Sequence, residues 1–79
     1  MNFIRYEGFI GDGEAVYEGE INIHPFSIEA FMGVEMTFTP PDEREVSGNG
    51  VKIYFKSGLV IDIMIELNKF KAMIETQSK

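Results

Sequence analysis

Residues 28 to 39 alternate between two sides almost without error. Ile28, Ala30, Met32, Val34, Met36 and Phe38 fall on one side, and Glu29, Phe31, Gly33, Glu35, Thr37 and Thr39 on the other. A period of two marks a half-buried β-strand, because successive side chains point to opposite faces of the sheet. The even side is expected in the core. Phe31 is the anomaly on the polar side: either both faces of this strand are covered, or Phe31 belongs to a partner-binding patch. If Gly33 is a bulge, the alternation flips partway and Phe31 turns inward.

The same rhythm recurs along the chain. Ile4, Tyr6, Gly8 and Ile10 alternate with Phe3, Arg5, Glu7 and Phe9. Gly11-Asp12-Gly13 reads as a turn, with two glycines around an Asp that bonds back to the backbone. Tyr17, Gly19, Ile21 and Ile23 line one face of a second strand, which Pro25 ends because it has no N–H for the ladder. Val51, Ile53 and Phe55, then Ser57-Gly58, then Leu59, Ile61, Ile63 and Ile65 form the clearest hairpin. From Glu66 the period becomes helical. Leu67, Phe70, Met73 and Ile74 share one stripe, which predicts a C-terminal helix over 67–75, with 76–79 fraying. Residues 40–50, Pro-Pro-Asp-Glu-Arg-Glu-Val-Ser-Gly-Asn-Gly, read as a long mobile loop.

These segments predict one small mainly β domain over 1–79. Its architecture is a five-stranded antiparallel curled sheet or SH3-like barrel closed by a short C-terminal α-helix. Closure matters because an open sheet leaves two edges exposed to association. A chain of 79 residues buries only about 60% of its unfolded surface, so its stability is marginal without further help. With no cysteine, neither a disulfide nor a thiolate metal site supplies that help. Self-association is one remaining source, so a homo-oligomer is an admitted partner state.

Charge narrows the partners. Residues 1–43 carry a net −8 and residues 44–79 a net +2, giving −6 for the acidic chain. Such a balance repels a phosphate backbone and disfavours duplex nucleic acid. No segment approaches the ~20 apolar residues of a membrane-spanning helix, and the N-terminus lacks a signal-type apolar region. A cytoplasmic location is expected.

Candidate chemistry is sparse. His24, beside Pro25, fits a turn-capping hydrogen bond better than a metal ligand. Asp12 and Glu14 superficially resemble a calcium loop, but the rest of the ligand series is missing. Glu18, Glu20, Glu29 and Glu35 read as solvent-facing sheet residues rather than an acid–base pair. No metal, cofactor or catalytic residue is expected, and no nucleophile–base pair is visible. The one surface with a distinctive pattern is Lys52, Tyr54 and Lys56, an aromatic between two cations on one strand face, with Arg44 placed to join it. Such a group can stack a base and neutralise phosphate, which admits a small nucleotide. The plainer alternative is a solvated strand face whose Tyr packs on a neighbour.

The run Glu20-Ile21-Asn22-Ile23-His24-Pro25-Phe26-Ser27-Ile28-Glu29 resembles the E-I-x-I-N-P-x-x-I-E segment of very short FlbD/SwrD-type bacterial flagellar-operon proteins and of phage proteins with the same layout. Val51 to Gly58 is similar to their x-x-I-x-L-x-x-G strand and turn, and Phe70 to Ile74 to their closing helix. The resemblance covers about 20–75. It departs in four places: His24 stands for the usual Asn, the 8–19 and 40–50 segments are longer, and the V-K-E-S step into the helix is absent. DNA-binding half-barrels of LytTR type share the rhythm but are basic where this chain is acidic. The resemblance implies the layout and offers no catalytic residue. The expected function is a non-enzymatic cytoplasmic binding or adaptor protein acting through protein–protein contacts, as a flagellar or host-process accessory. The alternative is a phage or mobile-element counter-defence protein that sequesters a nucleotide signal or blocks a host immune protein.

Overall fold

The structure, a computed structural model, describes residues 3–38 and 44–77. Five antiparallel strands, β1 (Ile4–Gly11), β2 (Val16–Ile23), β3 (Ile28–Phe38), β4 (Val46–Phe55) and β5 (Val60–Ile63), precede α1 (Leu67–Gln77). They form one sheet in the order β2-β1-β5-β4-β3. The sheet is unclosed: β2 and β3 are its two edges and do not pair. Of the two expected forms the open sheet is the one adopted, with no barrel closure.

The turns after β1, β2 and β4 are explained by local chemistry. Between β1 and β2, Asp12 Oδ1 accepts from the backbone N–H groups of Glu14 and Ala15, both at 2.9 Å, and Gly13 takes φ +94°. These two hydrogen bonds, Ala15 first, hold the Asp12 carboxyl below its ordinary range. Its oxygen therefore caps a turn. His24 does the same after β2, where Nδ1 accepts from Phe26 N–H at 3.2 Å at the head of the short 3-10 turn Pro25–Ser27. Gly58, at φ +96°, closes the β4–β5 hairpin, where its N–H donates to Phe55 C=O at 2.9 Å.

One face of the sheet carries the core. Ile4 and Ile23, Tyr6 and Ile21, Ile53 and Ile61, and Val51 and Ile63 are direct cross-strand partners. Such β-branched and aromatic pairs are the stabilising units of a sheet. Phe70 of α1 drops into them, fully buried, with Leu67, Met73 and Ile74 around it. All four predicted helix-stripe residues thus face the sheet. The helix also runs further than expected, through Gln77. Thr76 is part of it, and its hydroxyl donates to Ala72 C=O at 2.9 Å. The rest of the expected frayed end, 78–79, lies outside the described residues.

Tyr6 ties three segments together. Its hydroxyl donates to Phe9 C=O at 2.9 Å and accepts from Met64 N–H at 3.1 Å. The ring reaches those partners by lying over Gly8, where a Cβ would meet Tyr6 Oη at 2.7 Å. Gly8 also holds φ +150°. A side chain at residue 8 would therefore conflict with both the backbone and the ring.

Two sequence expectations fail, both in β3 and β4. The bulge is at Glu29, not Gly33: Ile28 pairs with Phe55 and Ala30 with Tyr54, which leaves Glu29 as the extra residue. Beyond it the faces exchange. Phe31 pairs with Ile53 and packs against Phe70, with ring centroids 5.2 Å apart and an interplanar angle of 75°. Met32, expected in the core, is 48% exposed instead. Gly33 stays in register with Val51 and leaves room for the helix, since a Cβ there would lie 3.0 Å from Leu67 Cδ2.

The second failure is the predicted loop. Val46 to Gly50 belong to β4 and pair with Val34 to Phe38. Of the predicted 40–50 loop, only Arg44 and Glu45 are seen outside a strand; residues 40–43 lie outside the described residues. Ser-Gly-Asn-Gly signals a turn only locally. Here its bare glycines accept neighbouring side chains: a Cβ at Gly50 would overlap Met36, and one at Gly48 would touch Met64 Sδ at 3.9 Å.

Candidate functional site

Among the described residues α1 covers one face of the sheet, and no element packs on the other. Register assigns the residues of that second face. From β3 come Ala30, Met32, Val34 and Met36; from β4, Gly48, Gly50, Lys52 and Tyr54; from β5, Val60 and Asp62; from β1, Arg5, Glu7 and Phe9; and from β2, Glu18, Glu20 and Asn22.

The face has two dissimilar halves. On β1 and β2 it is acidic: Glu7 stands directly opposite Glu20, and Glu18 opposite Phe9. Arg5 relieves one of these charges, holding Glu20 at 2.8 Å. On β3 and β4 it is apolar and rich in sulfur. Met32 lies beside Tyr54, whose hydroxyl donates to Met32 Sδ at 3.8 Å. Met36 folds over Gly50 and Met64 reaches Gly48. Three of the chain's five methionines thus gather on the uncovered side. Methionine suits an adaptable contact surface, being unbranched, polarisable and able to repack.

The five residues singled out from the sequence do not form one site. Lys52 and Tyr54 do share the open face. Lys52 is engaged, however: it stands opposite Asp62 in the ladder, with Nζ 3.6 Å from Oδ1. That oxygen is buried and has no hydrogen bond among the described residues, so Lys52 is its balancing charge. Lys56 is exposed in the turn after β4, its backbone N–H donating to Ser27 C=O at 2.8 Å. Arg44 is exposed ahead of β4. Phe31 lies on the helix-covered face, because the Glu29 bulge turns it toward Phe70.

The residues that sequence reasoning missed are Met32, Met36 and Met64. For the two on β3, the alternation is the available signal. It points to the core because the bulge upstream, which exchanges the faces, has no mark at Glu29. A second feature also has no sequence signal. Phe3 and Phe26, both more than half exposed, flank His24 with ring centroids at 5.6 and 5.9 Å. Phe3 continues into a shallow groove toward α1 lined by Arg5, Lys69, Ala72, Met73 and Thr76.

No group of three or more His, Asp or Glu side chains converges on a metal-binding point among the described residues. No helix among them is long and apolar enough to cross a membrane. In comparisons with known proteins, no family model, no curated protein and no solved structure matches this chain.

Proposed function

We propose that this protein is a non-enzymatic binding or adaptor domain that acts through protein–protein contact on its uncovered sheet face. The observation that carries the reading is the grouping of Met32, Met36 and Met64 with Tyr54 on the side of the sheet opposite α1. Met32 and Tyr54 are exposed, with Met36 and Met64 half-buried beside them, and apolar side chains gathered on one uncovered face mark an interaction surface more often than a scattered residue does. Glu7 and Glu18, on the acidic half of the same face, favour a partner with an apolar centre flanked by Lys or Arg, Glu20 being held by Arg5. The FlbD/SwrD-type resemblance supports a flagellar or host-process accessory role in the cytoplasm. The nucleotide-sequestering alternative is weaker, because it needs Lys52 and Lys56 free beside Tyr54, and Lys52 is held by Asp62.

The test is capture from the native host with wild-type protein, Met32→Glu, Tyr54→Ala and, as control, Glu14→Ala. The expected result is a partner retained by wild type and the control and lost with both face variants, all four remaining folded by circular dichroism. A partner captured equally by every variant would move the site elsewhere. A rise in melting temperature with nucleotides alone would favour sequestration instead.

A further inference from the structure

The two edges of the open sheet differ in length and in density of charge. β2 carries Glu18 and Glu20 within eight residues, a density of charge that discourages pairing at an edge. β3 also carries two charges, Glu29 and Glu35, but Glu29 sits at the bulge, so the regular stretch from Ala30 to Phe38 holds only the charge of Glu35. Yet β3 is the longest strand and lies at the end of the sheet, with its outer backbone groups unpaired by any described strand. A long, regular edge with a single charge is a ready template for pairing with another strand.

We infer that this other strand is the β3 strand of a second copy, paired antiparallel about a two-fold axis through Val34, so that two sheets join into one of ten strands with both helices on the same side. The register follows from charge and from the longest overlap of regular strand. Directly opposed residues of an antiparallel pair share a face, and like charges opposite one another destabilise it. Centring on Met32 sets Glu29 against Glu35, and centring on Glu35 sets that residue against itself. Centring on Gly33 places the Glu35 carboxylate against half-buried Phe31 and runs the pairing through the Glu29 bulge.

The Val34 register avoids all of these. It pairs Val34 with Val34, Met32 with Met36 and Glu35 with Gly33. It also uses only the regular stretch from Ala30 to Phe38, which begins just past the bulge. Each exposed Met32 then gains an apolar partner. The small core, without disulfides, gains additional buried surface, which adds to the stability of so small a domain. The acidic halves of the two open faces end up at opposite extremes of the joined sheet, as far apart as the fold permits. This inference concerns purified protein alone and holds whether or not an outside partner uses the open face.

Sedimentation equilibrium of the purified chain should show a dimer in the micromolar range. The absence of native cysteine allows a register test. Val34→Cys places two thiols about 4.5–5.5 Å apart at Cα across the axis, within disulfide reach. It should cross-link to a covalent dimer under mild oxidation, while Gly19→Cys in the middle of the β2 edge should not. Met32→Arg removes two apolar cross-strand pairs per dimer and should raise the dissociation constant up to about tenfold, with circular dichroism unchanged. A monomer throughout that range, or cross-linking of Gly19→Cys in place of Val34→Cys, would overturn the proposal.

Discussion

The two faces of this sheet are built from different materials. The helix-covered face is Ile, Val and Phe, stiff side chains paired directly across strands and locked by Phe70. The open face mixes Met32 and Met36, the bare Gly48 and Gly50 and the smaller Ala30, Val34 and Val60 with Glu7, Glu18 and Tyr54, and among the described residues it carries the ion pairs Arg5–Glu20 and Lys52–Asp62. β-Branched and aromatic packing selects a single arrangement, whereas methionine over bare glycine tolerates several. One sheet thus separates the residues that hold the fold from those free to contact something else, and substitutions should divide the same way.

The largest effect belongs to the covered face. Phe70→Ala empties the centre of the core and should cost about 3–5 kcal/mol, read as a lowered denaturant midpoint. A loss comparable to that of an open-face variant would erase the distinction. Gly8→Ala comes next, at about 2–3 kcal/mol, since it strains a positive φ and displaces the Tyr6 ring. Tyr6→Phe should cost about 1–3 kcal/mol by leaving Phe9 C=O and Met64 N–H without their partner.

The same residue predicts an alkaline transition. Burial, opposed by the hydrogen bonds from Met64 and to Phe9, raises the Tyr6 pKa above 10.0. The folded state therefore retains this proton to a higher pH than the unfolded chain does. Its contribution is fully present below the ordinary tyrosine value and is lost as pH rises through the folded value. Melting temperature should fall in that window for wild type and more shallowly for Tyr6→Phe. Equal slopes would remove Tyr6 as the cause.

Smaller effects sharpen the boundary between the faces. Gly33→Ala pushes on the end of the Leu67 side chain and should cost about 1 kcal/mol. Met32→Ala, on the open face, should stay within about 0.5 kcal/mol in the melting of the monomeric fold, while association or partner capture weakens. A Met32→Ala protein that unfolds would show that the open face is structural after all.

Legibility followed how local each signal was. The Asp12 turn, the His24 cap, the Ser57-Gly58 hairpin and the Leu67-Phe70-Met73-Ile74 stripe all depend on neighbours a few residues away, and each is readable in the chain. The facing of β3 is not, because Glu29 resembles any exposed strand residue until its cross-strand partners are known. Ser47 to Gly50 mislead for the opposite reason: their turn propensity is real, but pairing with Val34 to Thr37 overrides it. The candidate site inherits both errors, since the alternation alone puts Met32 and Met36 in the core and leaves the side of Phe31 undecided.

The amino-acid order determined the elements, because hydrophobic period and turn chemistry act over a few residues. It also determined the absence of disulfide support and the acidic first half. Which side of β3 meets the helix, how far β4 runs and whether Lys52 is free were decided only in three dimensions. A one-residue bulge inverts every side chain beyond it, and an ion pair between Lys52 and Asp62 requires the strands of a hairpin to lie side by side. The local pattern fixes which residues alternate, and only cross-strand pairing selects which half of the alternation is buried.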